Sequence, residues 1–230
     1  GNHHAKACRT MGWVWDVVDS NYEALDRMLN QIYPTRYGEW DNEIRLFHSS
    51  QELRFGYDVI MIDTPPDVRM GLAIRALKER PKLLHLEKPL CMPSMDGLHK
   101  FLEMWGGKLP YCFVTVGYNH AVSKSINEVI EIIKSGAIGG VITIDVEFRE
   151  HWEGIFNAHP WLKGPEDSYL GYWERGGGAG GEHSHALHLW LYFARIAGLG
   201  GVAEAKSAFD MVGSYDRIAT FILKTSSAAI

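Results

Sequence analysis

Two kinds of hydrophobic pattern divide the chain. Over the first half, short apolar runs alternate with stretches whose apolar residues recur at helical spacing. Val14-Trp15-Asp16-Val17-Val18 is one such run; it ends in Asp19, Ser20 and Asn21 and predicts a strand. Residues 23–32 place Leu25, Met28, Leu29 and Ile32 on one helical face. A second run over 57–62 halts at Asp63-Thr64-Pro65-Pro66, and a helix is predicted over 69–80, stopped by Pro81. A third run, over 83–86, closes on Glu87-Lys88-Pro89. Strands apolar on both faces and separated by helices imply a parallel, doubly wound α/β sheet.

The second half changes character. Ser125 and Glu128 have capping-box spacing ahead of Ile126, Val129, Ile130 and Ile133, and Gly136 ends that helix. After Gly139-Gly140, Ile142, Ile144, Val146 and Phe148 alternate with Thr143, Asp145, Glu147 and Arg149. Strict alternation predicts a half-buried strand of an open, mainly antiparallel sheet. The switch in strand type near 113–118 sets a domain boundary, giving domains at 1–116 and 117–230.

Composition narrows the classes. At 230 residues the chain holds one large domain or two modest ones, and 46% apolar with 22% charged residues is an ordinary globular profile. No run approaches the roughly 18 apolar residues of a membrane span. The net charge of −5 and the lack of a basic stripe argue against a nucleic-acid partner. Cys8, Cys91 and Cys112 are few and widely spaced, which fits a reducing compartment and gives a cytoplasmic default. Eight Trp and 11 His suggest a ring-lined site for a hydroxyl-rich ligand. The chain opens at Gly1-Asn2-His3-His4 and closes on Thr225-Ser226-Ser227-Ala228-Ala229-Ile230 without a capping signal, so it reads as the interior of a longer protein.

In doubly wound sheets, ligands bind beyond the carboxyl ends of the strands. Three such ends carry polar residues or prolines here: Asp19, Thr64-Pro65-Pro66 and Glu87-Lys88-Pro89. Asp19 lies about 20 residues beyond Gly1, the spacing of an acid that binds ribose hydroxyls, although it equally suits capping of the next helix. The full Gly-x-Gly-x-x-Gly is absent; at most its last glycine stands as Gly1.

Five segments in order and spacing resemble the glucose–fructose oxidoreductase and inositol dehydrogenase (Gfo/Idh/MocA) family. They are Thr64-Pro65-Pro66, Glu87-Lys88-Pro89-Leu90, Gly117-Tyr118-Asn119-His120, Ser135-Gly136-Ala137-Ile138-Gly139, and Gly176-Gly177-Gly178-Ala179 followed by His185. The resemblance covers nearly the whole chain. It implies a Rossmann-like dinucleotide domain over 1–116, whose first strand would precede Gly1. It also implies a substrate and oligomerisation domain over 117–230, incomplete at its end. The implied cofactor is NAD, with NADP possible, held by Gly1, Asn2, His3, Asp19, Ser20, Thr64, Pro65, Pro66, Glu87, Lys88 and Asn119. The implied partners are a small sugar-like substrate and further copies of the chain, as a homodimer or homotetramer through the C-terminal sheet.

By the same resemblance, Lys88 matches the active-site lysine and His185 the histidine that removes the hydroxyl proton. An ammonium stabilises a developing alkoxide, and imidazole titrates near neutrality. Where members carry Asp four residues before that histidine, this chain has Gly181, with Glu182 beside it as the candidate carboxylate; one residue turns a helical side chain by about 100°. Arg69 replaces a frequent His, and Ala121 a frequent Arg. His183 and His185 form His-x-His, but no third ligand is spaced for a metal, so none is expected. Tyr118, Arg149, Trp152, Trp161 and His183, with Lys88 and His185, are the candidate substrate contacts, since Trp faces stack on sugar C–H surfaces. The expected activity is hydride transfer between a nicotinamide cofactor and a secondary hydroxyl. The alternative is a non-catalytic dinucleotide-binding regulator on the same scaffold.

Overall fold

In the computed structural model of the chain, residues 1–108 and 112–227 are described; the expected chain end at Ala228-Ala229-Ile230 lies outside them. The chain divides into two compact units, Gly1–Tyr57 and Asp58–Ile230.

The first unit runs α1 (Asn2–Thr10), β1 (Trp15–Val18), α2 (Tyr22–Arg27), a π turn over Met28–Ile32, α3 (Tyr33–Tyr37) and β2 (Ile44–Phe47). Asn21 caps α2 by accepting from the Glu23 amide at 2.9 Å, so the cap falls to Asn21 and not to Asp19. The helix expected over 23–32 continues to Tyr37. Pro34 has no N–H for the carbonyl four residues back, and the widened π turn just before it absorbs that loss. Strands β1 and β2 are parallel, with Trp15 opposite Ile44 and Val18 opposite Phe47. Ala5, Met28, Tyr33 and Ile44 form the core, flanked by Trp15, Val17 and Trp40.

One polar pair interrupts this apolar sheet. Asp16 and Arg45 stand opposite each other across the strands, with Arg45 Nε 2.6 Å and its Nη2 2.8 Å from the two carboxylate oxygens. Tyr57 donates to the same carboxylate at 2.5 Å. Burial and that bond push the Tyr57 phenol up to about 12.

The second unit opens with a parallel sheet in the order β3 (Val59–Ile62), β4 (Leu83–Leu86), β5 (Phe113–Val116). Helix α4 (Pro66–Lys78) links β3 to β4, and α5 (Leu98–Lys108) links β4 to β5. Helix α4 starts three residues before the expected Arg69, because Pro66 suits a first turn where no N–H is needed. Ile62, Met70, Leu77, Leu84, Leu86 and Phe101 build the core against the sheet.

Helix α6 (Lys124–Ser135) follows, capped by Ser123 Oγ on the Ile126 amide at 3.4 Å, not by Ser125. Gly136 ends it in the left-handed conformation, as expected. Then come α7 (Glu153–Ala158), three short 3₁₀ turns between Pro165 and Arg175, α8 (Gly178–Glu182) and α9 (His185–Ile196). The antiparallel pair β6 (Val202–Val212) and β7 (Tyr215–Thr225) completes the unit.

The strand expected over 142–148 does not form. Its alternation survives in burial only from Ile144: Ile144, Val146 and Phe148 are half-buried and Thr143, Asp145, Glu147 and Arg149 exposed, but Ile142, expected on the apolar face, is exposed as well. A strand also needs a ladder, and among the described residues β6 and β7 pair with each other and not with this segment. Its anchor is a side chain, Trp190 Nε1 donating to the Ile144 carbonyl at 2.9 Å. Alternation reports a half-buried face, not a partner. Among the described residues, no helix is long and apolar enough to cross a membrane.

The Asp16 pair yields a stability test. Asp16→Ala strands Arg45 and the Tyr57 hydroxyl, and should cost about 2–3 kcal/mol; Tyr57→Phe, which removes one donor, should cost about 1 kcal/mol. Urea unfolding followed by circular dichroism measures both, and a near-zero loss for Asp16→Ala would contradict the assignment.

Candidate active site

Beyond the carboxyl ends of β3 and β4 lies a cleft of about 250 Å³. Asp63, Thr64 and Pro65 come from the end of β3, and Glu87 and Lys88 from the end of β4. Arg69 from α4, Tyr169 from the 3₁₀ turns and Glu182 from α8 close it. A wider groove of about 710 Å³ runs along α6, but its walls hold no histidine, cysteine or buried charge.

Lys88 and Glu182, far apart in sequence, meet here. Lys88 Nζ lies 2.7 Å from Glu182 Oε1 and donates to the Glu182 carbonyl at 2.9 Å. The other carboxylate oxygen accepts from the Tyr169 hydroxyl at 3.0 Å. Burial pushes the Glu182 carboxyl up, yet the charge and hydrogen bond of Lys88, with Tyr169 and His183, hold it below the usual range. Burial and Glu182 raise the Tyr169 phenol, which stays protonated.

His185 opens α9 and is buried, ringed by other rings. His120 lies edge-on at 4.4 Å between centroids, Tyr118 edge-on at 5.6 Å and Phe148 stacked at 6.0 Å. Its Nδ1 is buried without a hydrogen-bond partner. Burial first, then the Lys88 charge, then His120, push its pKa down to about 4. The imidazole is therefore neutral at physiological pH, as a proton acceptor must be. Tyr118 also stacks on His188 at 4.2 Å.

Gly181 has a steric reason. A Cβ there would lie 2.1 Å from the Gly176 carbonyl oxygen, a distance no side chain tolerates. On this backbone a carboxylate cannot stand four residues before His185, and Glu182 carries it instead.

Asp63, Arg69 and Tyr169 line the cleft without being among the sequence candidates. Arg69, at the position of a frequent family His, is 2% exposed, and its guanidinium donates to the Thr64 and Pro89 carbonyls. It thereby ties the end of β3 to the segment carrying Lys88, and its Nε is buried without a partner. Tyr169 sits in a run of short turns with no periodic signal.

The other candidates scatter. Trp152 donates to His183 Nε2 at 3.3 Å, and His183 Nδ1 lies 3.6 Å from Glu150. Arg149 is exposed and paired with Glu147, and Trp161 is exposed with His159 edge-on; neither lines the cleft. Asn119 is exposed and Pro66 is buried in the first turn of α4. In the first unit, Gly1 is the N-cap of α1, whose first turn has no acidic residue and no side-chain cap. Asn2 Oδ1 is buried without a partner. The His3 ring is taken up by Arg36 and Tyr37. Asp19 and Ser20 are exposed beyond β1, with Asp19 accepting from the Asn21 amide at 2.8 Å. The three cysteines are free thiols, and the described residues hold no metal-binding group of His, Cys, Asp and Glu.

Solved structures share this architecture. The WlbA dehydrogenase from Bordetella pertussis, in complex with NADH and UDP-GlcNAcA, superposes with a TM-score of 0.70 at 18% identity, over 99% of this chain and 64% of that one. The chain has the fold of this dehydrogenase. Myo-inositol 2-dehydrogenase from Lactobacillus plantarum gives a TM-score of 0.68 at 14% identity, over 94% of this chain and 59% of that one. A levoglucosan dehydrogenase in complex with NADH and levoglucosan gives 0.65 at 17% identity, over 94% and 55%. The chain thus spans less than two thirds of the length of each. No family model and no curated protein sequence matches it.

The depressed His185 pKa has a measurable consequence. Unfolded histidine binds its proton near pH 6.5, but the folded one does so near 4, so between these values the unfolded state holds more protons. The stabilisation His185 contributes should be complete above about pH 6.5 and lost as pH falls to about 4. NMR titration of the ring should give a midpoint near 4 that rises in Lys88→Met; an unchanged midpoint would remove Lys88 as a cause.

Proposed function

We propose that the chain belongs to the Gfo/Idh/MocA family and acts as an NAD-dependent dehydrogenase on a secondary hydroxyl of a sugar, cyclitol or sugar derivative. The observation that carries this reading is the grouping of Lys88, Glu182 and a neutral, buried His185 at the carboxyl end of a parallel sheet. Residues 1–116 are read as the cofactor domain and 117–230 as the substrate and oligomerisation domain.

The residues suit a dinucleotide. The first turn of helix α1, at Gly1, Asn2 and His3, has no side-chain cap and no acidic residue, and the buried Asn2 Oδ1 lacks a partner. By the family resemblance, Asp19 and Ser20 of the first unit would hold the adenosine ribose, and Thr64, Pro65, Pro66, Glu87, Lys88 and Asn119 are the cofactor contacts it implies in the second. When bound, the nicotinamide supplies the hydride acceptor or donor.

The chain's own residues do the rest. The Lys88 ammonium, steadied by Glu182 and Tyr169, orients the substrate hydroxyl and lowers the cost of its alkoxide. His185 takes the hydroxyl proton. Trp152, His183 and Tyr118 would form the substrate wall, with Arg149 and Trp161 farther out. The free thiols fit a reducing compartment, the cytoplasm. Strands β6 and β7 expose Phe209, Met211, Ile218 and Ile222, a surface suited to self-association as a homodimer or homotetramer.

Nicotinamide absorbance, followed with the purified protein and a panel of polyols and sugars, tests the activity. His185→Ala should lower turnover by about 10²–10⁴ with cofactor affinity unchanged, and Lys88→Ala at least as much. Binding of NADH with no transfer to any polyol would favour the regulator reading instead. Asp19 repels a 2′-phosphate, and no Lys or Arg follows it before Arg27, so NADH should bind more tightly than NADPH. Equal or tighter NADPH binding in a fluorescence titration would overturn the role of Asp19.

A further inference from the structure

The end of the β6–β7 turn and the start of β7 place three consecutive residues against the segments around Glu182. The Ser214 carbonyl accepts from the Trp173 amide at 2.8 Å. The Tyr215 ring stacks on Trp152 at 5.6 Å, and Trp152 in turn holds His183. Asp216 points into α8, the helix that carries Glu182.

Asp216 stands out among them. It is a carboxylate buried to 3% exposure, and it accepts from the Gly180 amide at 2.6 Å. Its other oxygen fills the space beside Gly178, where a Cβ would lie 1.8 Å away and where φ is +75°. Gly178 is therefore a glycine twice over, by backbone conformation and by the closeness of Asp216. A buried charge kept against a helix of five residues needs a purpose beyond packing, because an apolar residue would bury at lower cost.

We propose that Asp216 is a positioning residue for Glu182 and, through it, for Lys88. Glu182 is the second residue after Gly180, so the bond to Gly180 fixes the turn from which Glu182 projects. With α8 held, the carboxylate faces both Lys88 Nζ and the Tyr169 hydroxyl. Without that bond α8 shifts, the Glu182 carboxylate loses one of its two partners, and Lys88 is released toward solvent. The importance of this placement for catalysis rests on the dehydrogenase reading; the placement itself does not.

The test reads the two separately. Lys88 modification by acetic anhydride is followed by mass spectrometry, relative to the exposed Lys100, in the wild-type protein, Asp216→Asn and Asp216→Ala. Asp216→Ala should raise the Lys88 rate about tenfold, and Asp216→Asn, which keeps an acceptor for Gly180, about twofold. A purely structural role would lower the melting temperature and leave the Lys88 to Lys100 ratio unchanged in the folded variants, and that result overturns the proposal. If Asp216→Ala does not fold, Asp216→Asn decides alone: a raised ratio supports the proposal and a wild-type ratio overturns it. Turnover is measured beside labelling. Raised Lys88 labelling in the variants, beside a wild-type protein that itself transfers no hydride, would keep Asp216 as the positioning residue and remove the dehydrogenase reading.

Discussion

An ammonium taken most of the way out of water must be met by an anion, and the second unit is arranged around how Lys88 meets Glu182. One comes from the end of a central strand and the other from a short helix 94 residues later, and their charged atoms close to 2.7 Å. Replacing such a pair by apolar residues is often neutral or stabilising, whereas removing one partner costs about 3–5 kcal/mol. Stability alone does not account for the pair. It makes sense where a positioned cation is wanted at a strand end, the place where doubly wound sheets bind ligands.

That requirement explains the glycine-rich stretch before His185. To bring Glu182 under Lys88, α8 must pass so close to the Gly176 carbonyl and to Asp216 that side chains at positions 181 and 178 have no room. The resemblance had put the carboxylate four residues before the histidine. The one-residue displacement is resolved by backbone closeness: where position 181 must be glycine, the next residue supplies the acid. Arg69 works from the other side, binding carbonyls on both sides of the cleft floor.

The parts of the fold governed by local pattern were legible. The parallel strands at 15–18, 59–62 and 83–86 and the helix closed by Gly136 follow from apolar runs, prolines and a left-handed glycine. What depends on pairing was not. The segment 144–148 keeps its alternation, though Ile142 is exposed, yet finds no ladder among the described residues, because side-chain period fixes a face and not a neighbour. The site divides in the same way. Lys88 and His185 lie in recognisable motifs, whereas Tyr169 and Asp216 act through contacts made only in three dimensions. Arg149 and Trp161 had the right chemistry for a sugar, but exposure and local partners hold them away from the cleft walls.

The same charges that hold Lys88 also set the state of His185. Lys88 pushes the imidazole pKa down, Glu182 pushes it up, and burial, which acts in the same direction as Lys88, is the largest of the three. The cation that would polarise a hydroxyl thus also keeps the neighbouring base unprotonated, so both tasks favour one arrangement. Glu182 opposes it only in part, its pull being smaller than those of burial, Lys88 and His120. The pair therefore fixes the ammonium in place, and the Lys88 charge, acting with burial, outweighs the opposing pull of Glu182 on the His185 imidazole.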